Sequence, residues 1–131
     1  SGSQVAASQI DFSEISDKAL SVGERSEMTA RNITVSGAGT GAAAKDGSLL
    51  VLTDAQINRV QFAGLTAYIK KAEHGAAEII AQKVTIADAD DSAEPAIAQL
   101  GSRITLDGVA IKPRDLDVDA LYETVMRKGG K

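Results

Sequence analysis

Gly37-x-Gly39-x-x-Ala42 follows the strand-like Ile33-Thr34-Val35 with the small-residue spacing that lets backbone amides approach a pyrophosphate. The long helix such a turn requires is replaced by Gly41-Ala42-Ala43-Ala44-Lys45-Asp46-Gly47, so the stretch reads as a flexible or tightly turning loop. Lys45 lacks the preceding Gly and the following Ser or Thr of a triphosphate-binding loop. His74 is the sole His, which removes any multi-His zinc site within one chain. Flanked by Glu73 and Glu78, it reads as a residue at a helix end, where an imidazole interacts with terminal carbonyls.

Two acidic runs offer oxygen ligands of the kind hard cations prefer: Asp88, Asp90, Asp91 and Glu94, and then Asp115, Asp117 and Asp119. Neither has the Gly and Glu of an EF-hand at the required positions, and the first run reads as a solvated loop. In the second, Asp117 capping a helix and Asp119 in its first turn account for two of the acids. The absence of Cys excludes disulfides, thiolate–metal sites and a cysteine nucleophile. The many Ser residues have no His and carboxylate placed to activate them. These residues lead us to expect no catalytic, cofactor-binding or metal-ligating set, and hence a protein that is not an enzyme.

The elements that would position any site must come from a modest core. Of the 131 residues, 44% are hydrophobic, but 22 are Ala, leaving 35 larger apolar side chains. One domain is the expectation, with help from a partner in covering apolar surface. A net charge of -4 disfavours nucleic acid, and Phe12, Phe62, Tyr68 and Tyr122 are too separated to form a stacking platform. No apolar run is long enough for a membrane-spanning helix, and Ser1-Gly2-Ser3 carries no targeting stretch, so the chain reads as soluble with its compartment unspecified.

Residues 4–32 read as an N-terminal arm, with a short helix starting at Asp11 and ending at Gly23. Residues 33–128 read as a compact α+β domain: a small mixed or antiparallel sheet packed by two principal helices. Its strands are expected at Ile33 to Val35, at Leu49 to Leu52 covered on both sides, and at Glu78 to Asp88 with a bend near Gln82. Thr53 and Gln56 have capping-box spacing, and Ile57, Val60, Gly64, Ala67 and Tyr68 lie on one helical side. Phe62, Leu65 and Ile69 widen that arc, so the first principal helix should start at Thr53 and stop just before Gly75. Asp107-Gly108 should turn a hairpin that pairs Leu106 with Val109 and Ile104 with Ile111, all four on one face. The second helix starts near Asp117, buries Val118, Leu121, Tyr122 and Val125, carries Arg127 and Lys128 in its last turn and stops at Gly129.

Well-punctuated elements without a reaction centre point to a structural or assembly protein that works by protein–protein contact, with self-association or membership of a larger assembly. The candidate interaction residues are Ile10, Phe12 and Ile15 on the arm, with Phe62 and Leu65 on the receiving surface. A small-ligand or regulatory domain using Gly37 to Gly41 is the alternative, and an enzyme ranks third.

Overall fold

A computed structural model describes residues 3–70 and 72–124 of the chain. Among these residues, seven strands form one sheet: β1 (Gln4–Val22), β2 (Glu27–Lys45), β3 (Leu49–Tyr68), β4 (Glu78–Ala87), β5 (Glu94–Ala98), β6 (Arg103–Leu106) and β7 (Val109–Ala110). A 3-10 turn spans Ala72–His74, and among the described residues one helix, α1, spans Val118–Thr124. Sequential strands pair in parallel, β1 to β2 to β3 to β4 to β6, while β5 pairs with β3 and the β6–β7 hairpin is antiparallel.

A chain whose successive strands are parallel neighbours without crossover helices must wind as a coil, so the architecture is a β-solenoid. The register advances by 23 residues from Gln4 to Glu27, by 22 from Glu27 to Leu49, by 29 from Leu49 to Glu78 and by 25 from Glu78 to Arg103. Each coil has three runs. In the second coil they are residues 27–31, 33–36 and 38–45, and the corresponding runs of its neighbours stack above and below.

Left-handed backbone at the corners creates the runs. Gln9, Asn32, Asp54 and Lys83 have φ between 55° and 57° at the first corner. Glu14, Gly37, Arg59 and Asp88 occupy the second corner with positive φ. Each such residue interrupts the two-residue alternation of an extended strand, so that the side chains on both flanks can face inward. The result is three aligned copies of an apolar pattern with intervals of two, three, two and three: Val5, Ala7, Ile10, Phe12, Ile15; Met28, Ala30, Ile33, Val35, Ala38; and Leu50, Leu52, Ala55, Ile57, Val60; Ile79, Ala81, Val84 and Ile86 repeat most of it, and Ile104 and Leu106 begin it again before the chain turns back. Most of these residues belong to one continuous core.

The third corner is fastened by a backbone ladder and serines. Glu27 N–H donates to Ser3 C=O, Leu49 to Ser26, Glu78 to Ser48 and Arg103 to Ala77. Ser48 Oγ donates to Val22 C=O at 3.1 Å, while Ser102 Oγ accepts from Ala77 N–H at 3.1 Å. Buried Asp46 accepts the Lys70 N–H through Oδ1 at 2.7 Å, which anchors the departing loop.

The α+β expectation with two principal helices is therefore corrected. The helix expected from Thr53 is β3, where Thr53 to Asn58 pair with both β2 and β4. The helix expected from Asp11 is part of β1. In both places, apolar intervals of three come from a left-handed corner and not from a helical turn. The expected arm, residues 4–32, forms the first coil and the opening run of the second.

Other expectations agree with the structure. Ile33 to Val35 is strand, β4 bends at Lys83, and Asp107-Gly108 turns the β6–β7 hairpin, with Leu106 opposite Val109 and Ile111 N–H donating to Ile104 C=O. The four hairpin side chains do not share one environment: Ile104 is buried whereas Val109 is 63% exposed. Leu49 to Leu52 alternates between half-buried and buried residues, so it is not equally covered on both sides. Asp117 caps α1, its Oδ1 accepting the Ala120 N–H at 3.0 Å. Val118 is buried, and Leu116 and Leu121 pack with it and Phe62 on Ala43 and Tyr68, outside the coil's third run. The Tyr122 side chain and the expected roles of Val125, Arg127, Lys128 and Gly129 lie outside the described residues.

Candidate functional site

The first coil is paired on one side only along its whole length, whereas in β4 this holds only of residues 84–87. β1 stands at the end of the strand order, and its 19 residues pair with β2 alone. Three of the candidate interaction residues, Ile10, Phe12 and Ile15, meet here. They occupy inward positions and pack on the core, yet remain half-buried, while their partners one coil on, Ile33, Val35 and Ala38, are at most 2% exposed. Both rows are apolar, and among the described residues the first is stacked on one side only. Val5, at the start of the same row, is 45% exposed.

Phe62 and Leu65 are placed elsewhere. Leu65 is enclosed in the core between Ala42 and Ala96, and Phe62 is half-buried in the separate cluster under Leu116 and Leu121. The structure thus gathers Ile10, Phe12 and Ile15 at one end of the coil and leaves Phe62 and Leu65 out of that surface.

The opposite end is partly covered by the chain itself. The β6–β7 hairpin turns back over the first run, and Arg114 lies beside the third, its N–H donating to Ala98 C=O and its C=O accepting from Leu100 N–H. An Arg114–Glu94 ion pair at 2.9 Å accompanies this return.

The Gly-rich stretch is built into the sheet. Ser36, Ala38, Thr40 and Ala42 pair with β1 on one side and β3 on the other, so their backbone groups serve the ladder. Gly41 is small for a packing reason: a Cβ there would lie 2.6 Å from both the Gly64 carbonyl oxygen and Ile57 Cγ2. His74 sits in the 3-10 turn, where its carbonyl abuts Gly47, and its Nδ1 is buried without a hydrogen-bond partner. Among the described residues, no group of three or more His, Asp or Glu is placed to hold a metal ion. Asp88, Asp90 and Asp91 leave the coil between β4 and β5, where Asp90 N–H donates to Val60 C=O.

Charges concentrate at the corners. Arg59 spans three coils at the second, reaching Glu14 at 3.3 Å and donating to Ser36 C=O at 2.8 Å. This exposed clamp is worth about 0–1 kcal/mol. At the third corner, burial holds the Lys45 ammonium below its ordinary pKa of 10.5, and Lys70 and Lys18 add to the depression while Asp46 and Glu24 oppose it.

Sequence reasoning passed over two polar grooves on the outer surface, one along the second run and one at the second corner. One, of about 410 Å³, lies against Asn32, Thr34, Asp54, Gln56, Lys83 and Thr85. The other, of about 360 Å³, lies beside Glu14, Arg59 and Asp88. The signal available was the corner column, since residues of three successive coils become neighbours only when the repeat is recognised. Comparison with family models, curated proteins and solved structures finds no match for this chain.

Proposed function

We propose that this protein is a noncatalytic assembly module that associates through the open edge of its first coil. The observation carrying this reading is the contrast between half-buried Ile10, Phe12 and Ile15 and the enclosed residues of the next coil in register with them. A further β-structured surface laid on β1 would take up its free backbone donors and acceptors and complete the apolar enclosure, the mechanism of strand addition. Association then removes apolar area from water without new chemistry, and the rigid solenoid limits the ordering cost. Self-association is the simplest form of this contact.

Sedimentation velocity over a concentration series tests it with two matched variants. Val5→Lys places a charge at the open end, and Val109→Lys places one on the 63%-exposed hairpin at the other. The wild-type protein and Val109→Lys should associate as concentration rises, whereas Val5→Lys should stay monomeric with an unchanged β-type circular dichroism spectrum. A wild-type protein that is monomeric throughout, or association that ignores Val5→Lys, contradicts self-assembly through this edge.

A further inference from the structure

We infer that the outer groove along the second run binds a neutral, linear oligosaccharide. The groove spans three successive coils, and its residues form two columns in register: Asn32, Asp54 and Lys83 at the corner, and Thr34, Gln56 and Thr85 on the adjoining outward positions. Stacked strands place successive members of a column about 4.7–4.9 Å apart. That repeat is comparable to the length of one ring in an extended sugar chain, so three consecutive sugars can lie across the three coils, each beside its own pair of polar side chains.

The donor and acceptor set suits a polyol. Asp54 supplies a carboxylate that accepts from a vicinal hydroxyl pair, Asn32 and Gln56 both donate and accept, Thr34 and Thr85 offer hydroxyls, and Lys83 donates. One carboxylate and one ammonium leave the groove without net charge, which favours a neutral chain over a polyuronate or a sulfated one. This hydrogen-bonding capacity is unspent. None of the six side chains makes a hydrogen bond or ion pair among the described residues, Lys83 being engaged only through its backbone N–H with Asp107 Oδ1 at 2.5 Å. The second groove differs in this respect, since Arg59 there is committed to Glu14 and to the Ser36 carbonyl.

The groove is also preformed. Its floor includes buried Ile33 and Ala55, and the backbone beneath it is paired across β2, β3 and β4. The backbone therefore need not reorganise on binding, and the ordering cost falls on the side chains, Gln56 and Lys83 above all. No aromatic residue lines the groove, so affinity comes from hydrogen bonds and grows with the number of sugars engaged.

Titration calorimetry with hexasaccharides of β-1,4-linked glucose, mannose and xylose, and with a β-1,4-linked hexauronate, tests the proposal. At least one neutral hexamer should bind saturably, its monosaccharide should not, and the hexauronate should bind more weakly. Gln56→Ala and Thr85→Val, both exposed positions, should each weaken the neutral hexamer by about tenfold, equivalent to about 1.4 kcal/mol, without changing Tm. Asp54→Asn, which keeps a residue tolerant of left-handed backbone, should do the same. Absence of binding by every neutral hexamer, stronger binding of the hexauronate, or affinity unaffected by all three variants overturns it.

Discussion

At the scale of single residues, the fold depends on positions where a side chain is forbidden. Gly47 has φ +75°, and a Cβ there would collide with the His74 carbonyl while approaching Arg25 Cγ at 3.2 Å. Gly108 has a similar φ of +82° but nothing within 4 Å of the same added atom. Gly108→Ala should therefore cost only the left-handed penalty of about 1–2 kcal/mol. Gly47→Ala adds overpacking to that penalty and should cost about 2–5 kcal/mol. Urea melts of the two variants measure the difference; equal midpoints would remove the packing argument. Both glycines were legible as breaks in the chain, because Asp-Gly marks a turn by local chemistry alone. That His74 abuts Gly47 was not legible, since the two meet only after the chain has completed another coil.

At the scale of elements, packing has two grades. Leu65 is wholly enclosed between stacked coils, whereas Leu121 on α1 is half-buried over Ala43 and Tyr68. Leu65→Ala should cost about 2–5 kcal/mol. Leu121→Ala removes less buried area and should cost about 1–2 kcal/mol. Thermal melts that rank Leu121→Ala as the more damaging would show that α1 holds the coil together instead of covering one side of it. The position of α1 followed from local signals, Asp117 as cap and Leu116 and Leu121 around the first turn. The identity of β3 did not. Ile57 and Val60 are three apart because Arg59, with φ 58°, turns a corner between them. A helix gives the same interval by winding, and over one segment the two patterns coincide.

At the scale of the whole molecule, a solenoid is a stack of neighbours, so one complete coil can be removed without altering the register of the rest. Deleting residues 27–48 joins Ser26 to Leu49 at the same third corner and leaves β1 able to pair with β3. The shortened protein should keep a β-type circular dichroism spectrum and a cooperative melt at lower Tm. Deleting 27–37 instead, about half a coil, should abolish the cooperative melt because inward and outward positions no longer align. Equal behaviour of the two deletions would argue against coil-by-coil stacking. The sequence by itself determined the breaks, the hairpin at Asp107-Gly108, the cap at Asp117 and the candidate apolar group Ile10, Phe12 and Ile15, because short-range backbone preference and apolar character act within a few residues. The tertiary structure alone decided that these breaks are stacked corners, that Leu65 is enclosed and that Asn32, Asp54 and Lys83 line one groove. Those relations join residues 22 to 31 positions apart, and the free energy that selects them comes from hydrogen bonds and apolar contacts between coils, which no single segment contains.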